Sequence, residues 1–279
     1  IGADMKFVHI SDLHVGEHAT RNALAEKLTD KILRRYSGWR EKPLLLITGD
    51  FVHDGQQEQY QQAEKILFKL HNAGFPILMC PGNHDYGKQG LDDDYNSRYH
   101  YNQFALKLTT RESDRNAPFQ NVNNGQWNYP IVNKFDENYF VGLDTMEGVF
   151  RLSWYYRMWA RFTAAGWLGT SQLTKLDATI KKIRQISPDA NIILYMHHHP
   201  FRFNFRFRAM QLHDRTRLHQ IIGNQVNILL FGHNHVEKRL HAEQQKHGIG
   251  VVQVFGTSTH DRNTPFYEID TDTRHVQRI

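Results

Sequence analysis

The sequence predicts an α/β protein built on parallel strands joined by crossover helices, and three observations carry that expectation. Three short apolar-rich runs, Lys6–Ile10, Leu44–Thr48 and 76–80, each end in a polar loop. Between them lie stretches with apolar residues at helical spacing. The runs are continuous rather than alternating, as strands covered on both faces are. In such sheets ligands gather beyond the carboxyl ends of the strands.

The elements follow in order. A helix is expected over 20–36, with Leu24, Leu28, Ile32 and Leu33 near helical spacing, and another over 57–73, with Ala63, Ile66, Leu67 and Leu70 on one face and Gly74 as its stop. The segments 129–135 and 139–144 flank Asp136-Glu137-Asn138 and read as an antiparallel hairpin. A helix over 171–186, capped by Ser171 or Thr170, places Leu173, Leu176, Ile180 and Ile183 three to four residues apart. Strands return at 191–196 and 226–231. The tail reads as β-rich, with strands over 239–244, 250–256 and 265–270 and turns at Lys246-His247-Gly248 and Asp270-Thr271-Asp272. No repeat, low-complexity linker or break in composition divides the chain. One domain over 5–279 is therefore expected, with Ile1-Gly2-Ala3-Asp4 read as foreign to a native start at Met5.

Composition removes several classes of function. With 279 residues, 40% hydrophobic and 23% charged, the chain can bury a sizeable core and wholesale disorder is not expected. No apolar run approaches the roughly 18 to 20 residues of a spanning helix. One cysteine, Cys80, excludes an internal disulfide and a thiolate metal cluster, so a metal would need nitrogen and oxygen donors. No secretory apolar core precedes the first strand, and a cytoplasmic location is expected. The net charge of +5 admits anionic partners but is modest for a nucleic-acid binder, so nucleic acid is not favoured. The 18 histidines are the unusual feature.

Five strand-end loops supply Asp12, His14, Asp50, Asn83, His198, His233 and His235, which are oxygen or imidazole donors in sufficient number for two metal ions. A carboxylate can bridge two cations and cancel part of their repulsion, and Asp50 is assigned that place. In an extended loop, residues two apart share a side, so Asp12 with His14 and His233 with His235 can each aim two donors at one locus. Glycine before Asp50, Asn83 and His233 lets the backbone turn sharply. Taken singly, each block also reads as a turn or cap. In the run His197-His198-His199, the first and third histidines stay open, because a one-residue slip reverses sidedness.

The blocks Asp12-x-His14, Gly49-Asp50, Gly82-Asn83-His84-Asp85, His198-x-Pro200 and Gly232-His233-x-His235, in this order over most of the chain, resemble the calcineurin-like metallophosphoesterase superfamily. The resemblance implies a two-sheet β-sandwich flanked by helices on both sides. It also implies a dinuclear site of Mn, Fe or Zn at the sheet ends and hydrolysis of phosphate esters by hydroxide attack on phosphorus. Asp12, His14 and His235 would hold one ion, Asn83, His198 and His233 the other, and Asp50 both. His84 would face the substrate and stabilise the transition state or protonate the leaving oxygen, with Asp85 orienting its loop. His198 takes its place because the family's ligand stands two before proline. The reading leans to phosphodiester or pyrophosphate bonds and is similar to bacterial cyclic-nucleotide phosphodiesterases. A nucleotide-linked lipid pyrophosphatase, a nuclease and a catalytically silent interaction module are the alternatives.

Two segments stand outside that pattern. An insert at about 147–168 holds Trp154, Tyr155, Tyr156, Trp159, Phe162 and Trp167 among Arg151, Arg157 and Arg161, and 201–208 alternates aromatics with arginine. Packed helix, dimer contact and extended arm are the structural readings. The functional reading puts Arg157, Arg161 and Arg202 against an anionic substrate. Homodimer and peripheral membrane contacts are both admitted for the insert.

Overall fold

The computed structural model describes residues 5–87, 95–109, 119, 121–123, 126–201, 210–254 and 259–279. Strand β1 (Lys6–Ile10) leads through α1 (Ala19–Arg35) to β2 (Leu44–Thr48), and α2 (Gln57–Asn72) leads to β3 (Ile77–Cys80). Helix α3 (Tyr95–Leu108) and the small pair β4 (Val122–Asn123) and β5 (Gln126–Trp127) precede the hairpin β6 (Ile131–Phe135) and β7 (Asn138–Gly142). Then come α4 (Trp154–Thr163), α5 (Gly169–Ile186), β8 (Asn191–Tyr195), α6 (Arg215–Ile222) and β9 (Ile228–Phe231). The chain ends with β10 (Lys238–Arg239), α7 (His241–His247), β11 (Val251–Val254), β12 (Tyr267–Asp270) and β13 (Val276–Arg278).

The strands form two main sheets, ordered β13-β12-β1-β2-β3 and β10-β11-β9-β8-β7-β6. Within each, the central strands are parallel, as the unbroken apolar runs predict: Val8 pairs with Leu45, Leu46 with Leu78 and Leu194 with Leu229. The sheets meet face to face, with Phe7 of β1 edge-on to Phe140 of β7 at 5.4 Å. Helices α1 and α2 add Leu28, Ile32, Ala63 and Leu70 to the core cluster of the first sheet. On the far side α5 and α6 cover the second sheet with Leu173, Leu176, Ile180, Ile183, Leu218 and Ile222. Full burial of one such side chain contributes about 1.5–3 kcal/mol. A two-sheet sandwich with helices on both sides is thus the observed architecture.

Polar groups inside are tied to neighbours. His9 is fully buried in β1 with Nε2 2.9 Å from Thr48 Oγ1, and burial pushes its imidazole down to about 3. Two expectations are corrected. The expected strand over 239–244 is mostly helix α7, because Ala242, Glu243, Gln244, Gln245 and Lys246 are helix formers and Gly248, at φ +64°, closes the turn. Helix α5 begins at Gly169, ahead of Ser171 and Thr170. Its first amides donate to the distant Asp214 carboxylate, Leu168 N–H at 3.2 Å and Gly169 N–H at 2.7 Å.

Candidate metal centre

Loops following β1, β2 and β3 of one sheet and β8 and β9 of the other converge at one edge of the sandwich. The first two are stitched together by backbone, Asp12 N–H donating to the Gly49 carbonyl at 3.1 Å and His14 N–H to the Asp50 carbonyl at 3.0 Å. The expected extended loops are not what aims the donors. Asp12, His14, Asp50, His233 and His235 all adopt left-handed backbone, with φ of 56°, 46°, 54°, 72° and 50°. Such conformations are uncommon outside glycine and persist where the surroundings over-determine them. Leu13, between the first pair, is sunk in the core and pins the turn. Gly82 and Gly232 are required by close approach: a Cβ on Gly82 would strike the Asp50 carboxylate, and one on Gly232 the Ser11 hydroxyl and the Asp12 carboxylate.

Two of the donor groups that result contain Asp50. In the first, Asp12, His14, Asp50 and His235 present ligand atoms that all lie within 4.8 Å of one another. His14 Nε2 is 3.1 Å from His235 Nε2 and 3.6 Å from Asp50 Oδ2, and His235 Nε2 is 3.4 Å from Asp12 Oδ1. In the second, His197 Nε2 lies 3.1 Å from each of Asp50 Oδ2, Asn83 Oδ1 and His233 Nδ1. Asp50 belongs to both groups through the same oxygen. Donors at bonds of about 2.0–2.2 Å to one ion stand about 3 Å apart along a coordination edge. One N–H on His197 can satisfy one of its three neighbours, whereas a cation among them satisfies all, and a set of carboxylate, imidazole and amide donors suits first-row ions.

Electrostatics suit that use for His14, His233 and Asp50. Burial holds the imidazoles of His14 and His233 well below the ordinary histidine range, so their lone pairs are available without displacing a proton. Burial raises the Asp50 carboxyl, but His197 and then His84 outweigh it and hold the group well below the carboxylate range. Burial likewise opposes charge on His197, yet Asp50 lifts it to about 9, so a cation bound there would have to displace a proton from this ring.

His198 is not with the second group. Its Nδ1 meets Thr145 Oγ1 at 2.6 Å and its ring packs 4.3 Å from that of His233, while His197 stands beside Asp50 and Asn83. Strand alternation explains the difference. Ile193 and Tyr195 face the inter-sheet core and Leu194 and Met196 the outer cluster, so the next inward residue is His197. His84 donates its backbone N–H to Asp50 Oδ1 at 3.0 Å, and its Nδ1 lies 2.7 Å from the His53 carbonyl, an arrangement that assigns the proton to Nδ1. Its half-buried ring stands 4.7 Å from that of His14. Asp85 is fully buried; its oxygens accept N–H groups from Asp50, Phe51, Val52 and Gly82 at 2.8, 2.9, 3.3 and 2.8 Å. It therefore ties the second and third loops together and is a positioning residue. The side chains of Arg157 and Arg161, and Arg202 altogether, lie outside the described residues.

His260, which belongs to none of the five sequence blocks, also stands at the site. Its ring stacks on His235 at 3.6 Å and meets His14 at 5.2 Å, and Thr259 Oγ1 anchors the segment by donating to the Asp12 and Leu13 carbonyls, both at 2.9 Å. The available signal was topological: His260 follows β11, which runs parallel to β9 and so delivers its trailing loop to the same edge.

Comparison with known proteins places these observations. The chain is 30% identical over 122 residues to a glycerophosphodiester phosphodiesterase, GpdQ, of Enterobacter lignolyticus, a match spanning 37% of this chain and 42% of that protein. It is 24% identical over 238 residues to a probable cyclic nucleotide phosphodiesterase of Colwellia psychrerythraea, covering 82% of this chain and 70% of the relative. Among solved structures it resembles the purple acid phosphatase PPD1 from yellow lupin seeds, with a TM-score of 0.61 at 13% identity over 97% of this chain and 50% of that one. GAP50, the anchor in the inner membrane complex of Plasmodium, gives 0.57 at 10% identity over 100% of this chain and 89% of that chain. The calcineurin-like phosphoesterase family profile matches residues 5–237, and the chain belongs to that family.

Proposed function

We propose that this protein hydrolyses phosphodiesters at a two-ion centre held by Asp12, His14, Asp50 and His235 on one side and Asp50, Asn83, His197 and His233 on the other. The observation that carries the reading is Asp50 Oδ2, which faces both donor groups at 3.6 Å and 3.1 Å. When bound, a pair of such ions readies a water at neutral pH and offsets the charge that builds on the phosphoryl oxygens. The chain's own residues do the rest. Left-handed backbone at five of the seven donors holds them in place before substrate arrives, so little reorganisation is needed at the moment of reaction. His84, with Nδ1 turned to the His53 carbonyl, presents Nε2 to the leaving oxygen and donates a proton there when charged. Asp85 keeps the His84 turn in register with Asp50.

The preference for diesters is supported by the names of the relatives, phosphodiesterases for glycerophosphodiesters and cyclic nucleotides. The test is a comparison of bis(p-nitrophenyl) phosphate with p-nitrophenyl phosphate on protein loaded separately with Mn, Fe and Zn. The diester is expected to be the better substrate and chelation to abolish both activities. His84→Ala should lower kcat by roughly 10² with metal content unchanged. A monoester preference would overturn the diester reading, and full turnover in His84→Ala would remove that residue's role.

A further inference from the structure

Nine large apolar or aromatic side chains stand exposed among the described residues, and five of them lie on α4: Trp154, Tyr155, Tyr156, Met158 and Trp159, exposed by 71%, 66%, 57%, 43% and 39%. Of the α4 side chains described, only Ala160 is buried. A ten-residue helix is marginal in water, and clustered exposed aromatics mark a contact surface. The helix sits on an arm clasped at its base, Gly148 N–H donating to the Trp167 carbonyl at 2.8 Å and Trp167 N–H to the Thr145 carbonyl at 2.7 Å.

Charge selects the partner. In sequence α4 itself carries Arg157 and Arg161 and no Asp or Glu, whereas Arg151, just before it, is paired with Glu147 at 3.1 Å. A second copy across a two-fold axis would set two arginine-bearing, acid-free helices against each other. Tryptophan and tyrosine are the side chains that settle at the headgroup level of a bilayer, and arginines flanking them meet anionic lipid. No described helix is long and apolar enough to cross a membrane, so the contact is with the surface.

We infer that α4 docks this protein on the surface of an anionic lipid bilayer, its aromatic side chains lodged among the headgroups. The inference is independent of the phosphodiesterase reading. The test is co-sedimentation of the full chain with vesicles of phosphatidylcholine alone and of phosphatidylcholine with phosphatidylglycerol. Binding is expected to the mixed vesicles only and to weaken as salt rises. The double variant Trp154→Ser/Tyr155→Ser, and independently Tyr156→Ser/Met158→Ser, should each bind about ten-fold less or weaker still. Hydrolysis of a soluble chromogenic ester and metal content should be unchanged in both. Absence of binding by the unsubstituted protein, or undiminished binding by both double variants, overturns the inference. So does a dimer in sedimentation velocity that the same variants dissolve, since α4 would then cover a second copy.

Discussion

Three consecutive histidines follow β8, and side-chain alternation decides which of them reaches the donors around Asp50. Counting back from Pro200 selects His198, whereas counting forward from the inward Ile193 and Tyr195 selects His197, and the structure has His197 there. The two substitutions should therefore behave differently. His197→Ala removes a donor and is expected to lower the number of ions bound at saturation. His198→Ala removes a support of His233 and should keep the number while weakening affinity by roughly 10- to 100-fold, as loss of a ligand's neighbour does. Metal titration followed by calorimetry and elemental analysis separates the cases; a full complement of ions in His197→Ala would return the assignment to His198. The remaining donors were legible because Asp-x-His, Gly-Asp, Gly-Asn and Gly-His-x-His blocks each sit at a strand end. The left-handed backbone at Asp12, His14, Asp50, His233 and His235 was not legible, since it is imposed by the packing of Leu13 and the crossed loops rather than by local preference.

Helices show themselves in a sequence to the extent that one face is apolar. Helices α1, α2 and α5 bury regular stripes and could be read directly, whereas α7 buries no side chain and has no stripe to detect. Helix α3 went unread because its buried apolar residues Tyr101, Phe104, Ala105 and Leu108 crowd its last two turns, after a polar start. Boundaries fail for a related reason: the start of α5 is set by Asp214, 45 residues away from Gly169 in the chain. No local cap motif can report such a partner. Asp214→Ala is expected to destabilise the protein by about 1 kcal/mol, the usual cost of a lost cap, while leaving the bound metal in place. Urea denaturation with elemental analysis checks both halves. An unchanged midpoint would mean that the α5 amides find water as readily as they find Asp214.

At the scale of the whole molecule, the candidate centre is a seam. Asp12, His14, Asp50 and Asn83 come from loops of the first sheet, and His197, His233 and His235 from loops of the second. Strand polarity made it legible that each loop lies at a carboxyl end, but not how one sheet is laid upon the other. That follows from side-chain packing such as Phe7 on Phe140, which leaves no motif. Ions held across the seam would bind the folded arrangement better than the unfolded chain and so would act as a staple between the sheets. At free metal 100-fold above its dissociation constant, one such site adds about 2.7 kcal/mol to stability. The chelated protein is therefore expected to unfold at lower urea than the reloaded protein, and Asp50→Ala, lacking the oxygen common to both groups, should show almost none of the difference. Identical unfolding midpoints with and without metal would show that the donors do not clamp the two sheets. A metal-dependent gain retained in Asp50→Ala would show that the stabilising ion is held elsewhere.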